Sequence, residues 1–500
     1  MNHNYVMGID QGTTGTRVIL FDHDGEVKAI AYREIRQLYP KPGWVEHDPM
    51  EYWQTVLECS KEVLTKAKIT AGEVAAIGIT NQRETTILWD SETGKPLHNA
   101  IVWQCRRTAP ICDQLKAQGL EPLVREKTGL FVDPYFSATK IRWILENVAE
   151  ARQALSRGRL RMGTIDSWLI WNLSGRSAHV TDFSNASRTM LLNIHTLQWD
   201  HQLLQSIGVP GEILPRLLPS SGVMATTNAE VFFGAEVPIA GAAGDQQAAT
   251  FGQGCFKPGM TKTTYGTALG MIMNTGRKPQ LSQNGLMTDL VWHVGGHAEY
   301  ALEGIVFIGG ATIQWLRGGL QIIKEAAESS VLAESVPDSG GVYIVPAFTG
   351  LGAPHWDTYA RGLIIGITCG TNRAHVARAA LESIAYQIRD VLEAMKIDSG
   401  QRAPRLRVDG GATASDFLMQ FQADIIGLPI ERPSVTEMTA RGAAYLAGLG
   451  VGFWASQEEV AAHWKLDRVF DPKMSLDQRE NLYTNWKAAV QRSLGWIKPT

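Results

Sequence analysis

Short apolar runs separated by glycine-bearing turns open the chain, and they predict strands. Residues 6–9, 17–21 and 27–32 are rich in β-branched and apolar side chains, divided by turns such as Asp22-His23-Asp24-Gly25. At Asp48 the period changes. Trp53, Val56, Leu57 and Val63 recur at helical intervals behind an Asp-Pro start, which predicts a helix from Pro49 to about Lys66 with Asp48 as its N-cap. The run Val-Ala-Ala-Ile-Gly-Ile-Thr at 74–80 then reads as a buried strand. Strand hairpins followed by a helix and a further strand indicate an α/β architecture.

A comparable order begins again past the middle of the chain. Residues 261–266 and 269–274 are strand-like around the turn Gly266-Thr267-Ala268, a further strand covers 299–302, and a helix follows near 311–316. The echo predicts two related α/β halves, 1–252 and 253–500, joined near Gly252-Gln253-Gly254-Cys255-Phe256-Lys257-Pro258-Gly259. The alternative is a chance likeness between two βα units. Two halves imply a cleft between them, where small-molecule sites tend to lie.

Composition narrows the class of partner. At 500 residues, 44% hydrophobic and 19% charged, the chain can bury large cores. Its net charge of -3 gives no sequence-wide field for nucleic acid or anionic lipid. The five cysteines (Cys59, Cys105, Cys112, Cys255, Cys369) form no CxxC pair, so they read as reduced thiols and not as a zinc site or disulfide framework. The opening Met1-Asn2-His3-Asn4-Tyr5 has no basic-then-apolar signal pattern, and no apolar run reaches the about 18 residues of a membrane span. A cytoplasmic protein without a membrane span is the expectation.

Several segments are suited to chemistry. In Asp10-Gln11-Gly12-Thr13-Thr14-Gly15-Thr16-Arg17 the glycines permit close backbone approach, amides and hydroxyls can donate to phosphate oxygens, and Arg17 supplies a cation. Asp10, at a strand end, suits a hydrated magnesium ion. The segment is no Walker loop, since it lacks Gly-Lys-Ser/Thr and a strand follows it; by itself it reads equally well as a Gly/Thr hairpin turn. Thr264-Tyr265-Gly266-Thr267-Ala268 holds the matching place in the second half. Val408-Asp409-Gly410-Gly411-Ala412 runs from a strand through Gly-Gly into a predicted helix over 416–426, either a phosphate- or base-accepting turn or simply a tight one. Asp245 follows a strand at 239–243 and is placed either as a base for an attacking hydroxyl or as the N-cap of a helix through Phe251. Asn81-Gln82-Arg83-Glu84-Thr85-Thr86 and Trp103-Gln104-Cys105-Arg106-Arg107 offer donors, acceptors and an aromatic face to a small hydroxylated molecule. Any one of them alone reads better as a surface Arg–Glu pair or a core Trp.

At these residues the sequence resembles the FGGY family of carbohydrate kinases over essentially its full length. The matching stretches are residues 10–17, 39–49 (Tyr-Pro-Lys-Pro-Gly-Trp-Val-Glu-His-Asp-Pro), 81–86, 101–108, 133–137, 244–248, 346–354 and 407–411. The resemblance implies α/β architecture with two actin-like ATPase (ribonuclease H-like) domains flanking a catalytic cleft. It implies transfer of the ATP γ-phosphate to a terminal hydroxyl of glycerol, with Mg2+, in a homodimer or homotetramer. By the same resemblance Arg83, Glu84, Tyr135, Asp245 and Gln246 hold glycerol, Trp103 is an apolar wall and Asp245 is the general base. Thr13, Thr14, Gly15, Arg17, Thr267, Gly310, Gln314, Gly411 and Ser415 hold the nucleotide and its phosphates, and Asp10 orients magnesium through water.

The chain departs from the family pattern in three places. Ser415 stands where relatives acting on glycerol usually carry Asn, and Ala268-Leu269-Gly270 where they usually carry Gly-x-Phe, which implies a roomier pocket. The loop Glu230-Val231-Phe232-Phe233-Gly234-Ala235-Glu236 has neither the phosphorylatable His of some relatives nor the Gly/Arg signature for a sugar bisphosphate, so neither control is expected. Two other readings compete: a family member acting on a pentulose or tetritol, and an actin-like nucleotide-dependent scaffold, which would need the phosphate loops but not the Arg83, Glu84, Tyr135 and Asp245 set.

Overall fold

The computed structural model describes residues 4–498; Met1, Asn2 and His3 of the opening segment lie outside them, and Tyr5 begins the first strand. The predicted hairpins form one side of a six-stranded sheet. Its strands are β1 (Tyr5–Gln11), β2 (Gly15–Phe21), β3 (Val27–Glu34), β4 (Val74–Asn81), β5 (Ser221–Thr226) and β6 (Pro238–Gly244), in the order β5-β6-β4-β1-β2-β3. Strands β1, β2 and β3 are antiparallel, whereas β4 and β6 continue parallel to β1. Helix α1 (Pro49–Ala67) starts where its capping signal predicts: the Asp48 carboxylate accepts the Met50 amide at 2.8 Å. It covers the sheet through Tyr52, Val56, Cys59 and Val63, all buried with Met7, Ile9, Val18 and Ile79.

The second half repeats this plan. Strands β7 (Thr261–Tyr265), β8 (Leu269–Gly276), β9 (Met287–Val294), β10 (His297–Val306), β11 (Leu406–Asp409), β12 (Ile430–Pro433) and β13 (Leu466–Phe470) run in the order β9-β10-β8-β7-β11-β12-β13. From β10 to β13 the directions match β3 to β5 of the first sheet, strand for strand, so the duplication is topological and not a chance likeness of two βα units. Strand β10 is longer than the predicted 299–302. Strand β9 was not predicted: six of its eight residues are buried, including Thr288 and Asp289, so no polar alternation marks it. Helices α2 (Asp245–Gly252), α3 (Ala311–Gly318), α4 (Arg373–Ser399), α5 (Asp416–Ile426) and α6 (Met438–Gly450) complete the elements that matter for the site.

Helix α6 crosses from the second half onto the first sheet, and glycines set how close it lies. A Cβ on Gly8 would strike the Ala440 carbonyl, one on Gly78 the Ala443 carbonyl, and one on Gly442 the Ala248 carbonyl of α2. The result is a seam of backbone against backbone, filled at its sides by Ala240, Ala243, Ala248, Ala440, Ala444 and Ala447.

Candidate active site

The β1–β2 hairpin brings Asp10 opposite Arg17 and closes with the Gly12 amide donating to the Gly15 carbonyl at 3.0 Å. Gly15 must lack a side chain, because a Cβ would lie 2.5 Å from the Arg33 carbonyl and 2.6 Å from the Tyr32 ring. Thr16 turns away from the cleft and bonds Gln11 and Thr55, each at 2.6 Å, whereas Thr13 faces the cleft and Thr14 is exposed. Arg17 reaches across to the second half, its guanidinium 2.5 Å from Glu437, the residue that precedes α6. Burial pushes Asp10 up to about 7, with Arg17 opposing and the nearby Asp245 and Glu437 adding to the rise.

Beside this hairpin lies a cavity of about 110 Å³, lined by residues of both halves. The first half supplies Thr13, Gln82, Arg83, Glu84, Trp103, Tyr135, Asp245 and Gln246, and the second supplies Thr264, Ala268, Leu269, Gly270 and Ile305. Such a volume suits a molecule of a few heavy atoms; drug-sized pockets run to about 300–1,000 Å³. Thus Arg83, Glu84, Trp103, Tyr135, Asp245 and Gln246 line one cavity. Trp103 sets its indole against Tyr135, ring centroids 5.5 Å apart, and its Nε1 donates to Thr13 Oγ1 at 2.9 Å. The neighbouring Arg106 and Arg107 do not join the cavity: Arg106 pairs with Asp133 at 2.9 Å and Arg107 with Glu46 at 2.6 Å.

Asp245 is the first residue of α2 and not its cap, a place held by Gly244. Its carboxylate accepts the Gln246 amide at 2.7 Å and lies 3.2 Å from Arg83 Nε, with about a third of the side chain (32%) open. Burial raises its pKa, Arg83 opposes the rise and Glu84 adds to it. Just before it, the Gly244 amide donates to Ser184 Oγ at 3.0 Å. Ser184 belongs to the short helix Phe183–Ser187, whose cap Asp182 accepts two backbone amides and the Ser220 hydroxyl.

Behind Arg83 the second half contributes charges of its own. Glu303 of β10 takes the Arg83 fork at 2.7 and 3.1 Å, and Arg188 lies 2.9 Å from Glu303 and 2.8 Å from Glu84. Asp289 of β9 pairs with Arg188 as well. Burial drives Asp289 well above the carboxylate range, whereas Glu303, though equally buried, is pulled below it by Arg83 and Arg188. Lys262 of β7 is a further buried cation, donating to Gln246 Oε1 at 2.5 Å and Thr264 Oγ1 at 2.8 Å.

None of Arg188, Lys262, Asp289 and Glu303 was singled out from the sequence. A signal existed for two of them: Lys262 and Asp289 are each the one Asp, Glu, Lys or Arg in their strands, and a lone charge in a buried strand needs a partner.

Of the second-half residues expected to meet a nucleotide, Thr267 sits in the β7–β8 turn. The Gly309 amide donates to the Thr267 carbonyl at 2.8 Å and Gly310 to the Gly266 carbonyl at 2.9 Å, which brings the start of α3, and with it Gln314, beside Thr267. A Cβ on Gly310 would lie 2.8 Å from that same carbonyl. From the other side, Gly410 (φ +91) lets the chain pass the Tyr265 carbonyl and delivers Gly411 next to the turn. Ser415 caps α5 by accepting the Leu418 amide at 3.1 Å and bonds Ser330 at 2.8 Å. The turns bearing Thr13 and Thr267 thus stand at matching ends of two matching hairpins, with the cavity alongside.

Comparison with known proteins adds a second line. The model of the FGGY family of carbohydrate kinases, N-terminal domain, matches residues 5–252, and that of the C-terminal domain matches residues 261–451. A glycerol kinase of Symbiobacterium thermophilum is 60% identical over 496 residues, 99% of each chain, and glycerol kinase 2 of Thermotoga maritima is 59% identical over 494 residues, again 99% of each. A crystal structure of Plasmodium falciparum glycerol kinase with ADP superposes with a TM-score of 0.93 at 37% identity, covering 100% of this chain and 99% of that one.

Proposed function

The chain belongs to the FGGY family of carbohydrate kinases, with the family's two-domain actin-like fold, and on that premise we propose that it is an ATP:glycerol 3-phosphotransferase, converting glycerol and ATP to sn-glycerol 3-phosphate and ADP. The observation that carries the reading is the small two-sided cavity where Arg83, Glu84, Trp103, Tyr135, Asp245 and Gln246 meet beside the Thr13 turn. Its polar groups bind hydroxyls and Trp103 covers the carbon chain. Residues through 252 hold the polyol and the transferred phosphoryl group, and those from 253 hold the nucleotide at Thr267, Gly310, Gln314, Gly411 and Ser415.

In this mechanism Asp245 accepts the proton of the attacking hydroxyl. Its pKa, raised by burial and restrained by Arg83 at 3.2 Å, makes it a better base than an exposed carboxylate. Arg83, fixed by Glu303, donates to the polyol, and the amides and hydroxyls of Thr13, Thr14 and Gly15 with Arg17 receive the phosphoryl oxygens. Positioning and charge stabilisation supply most of the acceleration.

The residues present fit Mg2+. Asp10 is crowded by Asp245 and Glu437 with Arg17 as its cation, an excess of carboxylate that a metal ion relieves. Among the described residues no group of three His, Cys, Asp or Glu forms a cage, which suits an ion held by one carboxylate, water and substrate phosphates. Asp10 would hold it through water, and it would neutralise charge developing on the phosphates.

No helix among the described residues is long and apolar enough to cross a membrane. A cytoplasmic homodimer or homotetramer is part of the proposal. A coupled assay of ATP turnover with glycerol, dihydroxyacetone, erythritol and xylulose tests the whole reading. Glycerol should give the highest kcat/KM; a higher value for xylulose or erythritol would replace it with the related sugar kinases.

A further inference from the structure

The wall that Gln246 and Thr264 give the cavity is controlled by a buried amine that the mechanism above does not use. Lys262 Nζ faces Gln246 Oε1 at 2.5 Å and Thr264 Oγ1 at 2.8 Å. An ammonium group has donors and no lone pair, so both atoms facing it must be acceptors. The Gln246 amide is thereby fixed with its oxygen toward Lys262 and its NH2 directed elsewhere, and the Thr264 hydroxyl keeps its own proton to donate. Residue 270 permits this placement, since a Cβ there would stand 2.7 Å from Gln246 Oε1. The room left by the missing aromatic is thus partly taken by Gln246.

We propose that Lys262 is a positioning residue for the polyol: by engaging the acceptor atoms of Gln246 and Thr264 it makes their side of the cavity a donor surface, and Gly270 lets Gln246 lie there. This rests on the glycerol reading. Glu84 and Asp245, which also line the cavity, are acceptors, so a hydroxylated carbon chain meets both acceptors and donors there. Gln246 then donates to a substrate hydroxyl that is not the one Asp245 deprotonates. Without the amine the amide is free to rotate, and half of its orientations present an oxygen where a donor is needed.

Steady-state kinetics with glycerol and ATP varied separately tests the assignment. K262M should raise the KM for glycerol about tenfold while KM for ATP and kcat change less than about threefold, the scale of one misdirected hydrogen bond. K262R, which keeps a donor, should recover part of that loss. Q246L should raise the KM for glycerol by a similar factor, and K262M combined with Q246L should add no more than about threefold to Q246L alone. A third route leaves Lys262 untouched: G270A should displace Gln246 and raise the same KM. A KM for glycerol within twofold of wild type in K262M, or independent multiplication of the K262M and Q246L effects, overturns the proposal. Should K262M not fold, an unchanged KM in G270A overturns it instead. Wild-type protein with no glycerol-dependent turnover would reject the substrate reading itself, and the same variants would then be read with the polyol it does accept.

Discussion

Asp245 stands at the head of α2 with Arg83 on one side and the open cleft on the other, and this setting makes its role testable by the smallest change. D245N keeps the shape and removes the proposed proton acceptor; turnover should fall by about 10² or more, measured as kcat at saturating glycerol and ATP. A second buried carboxyl lies far from this cleft. Glu382 of α4 is 3% exposed with Arg378 Nε 2.8 Å away, and burial pushes it up to about 7. Its folded pKa exceeds the 4.5 of an unperturbed Glu, so the stability it contributes is full below about pH 4.5 and is lost as pH rises through 7. E382Q removes that dependence. Between pH 5 and pH 8 the difference in unfolding free energy should move in favour of the variant by on the order of 3 kcal/mol, read from denaturant titrations at the two pH values. The residues of the cavity differ in how legible they were. Arg83, Glu84 and Asp245 sit at strand ends, where a polar cluster after an apolar run is visible in the sequence. Lys262 and Glu303 sit inside strands, and the facing half of the molecule supplies Gln246 to the one and Arg83 and Arg188 to the other.

At the scale of elements, the seam between α6 and the first sheet is the most exacting part of the fold. Gly78→Ala or Gly442→Ala would place a methyl group against a backbone carbonyl that has no rotamer to change, at a cost above the about 1–3 kcal/mol of ordinary overpacking. Gly318→Ala, in open space at the end of α3, serves as the control and should be neutral or slightly stabilising. Thermal melts of the three variants compare them directly. The hairpins and α5 were legible because short-range signals set them: Gly-Thr turns between apolar runs, and a Ser415-Asp416 start. Strands β5, β9 and β13 were not. β9 is buried on both faces and carries polar residues inward, while β5 and β13 are edge strands whose pairing depends on where β6 and β12 already lie. The same limit explains the place of Asp245. Spacing alone cannot separate a cap from the first helical residue, and the Gly244 backbone conformation decides it.

For the whole molecule, the duplicated sheets place two equivalent turns at one cleft, and the pairs Arg83–Glu303 and Arg17–Glu437 join the halves there. Arg83, which belongs to the first half and lines the cavity proposed for the polyol, is therefore aimed by a carboxylate of the half proposed to hold the nucleotide. On the proposed roles, any rotation of the halves that moves Glu303 also changes how Arg83 grips the polyol. Binding at the two sites is then a linked equilibrium, and linkage is reciprocal: whatever factor ADP contributes to glycerol affinity, glycerol must contribute to ADP affinity. Calorimetric titration of each ligand with and without the other should return the same factor greater than one in both directions, and E303Q should bring it toward one.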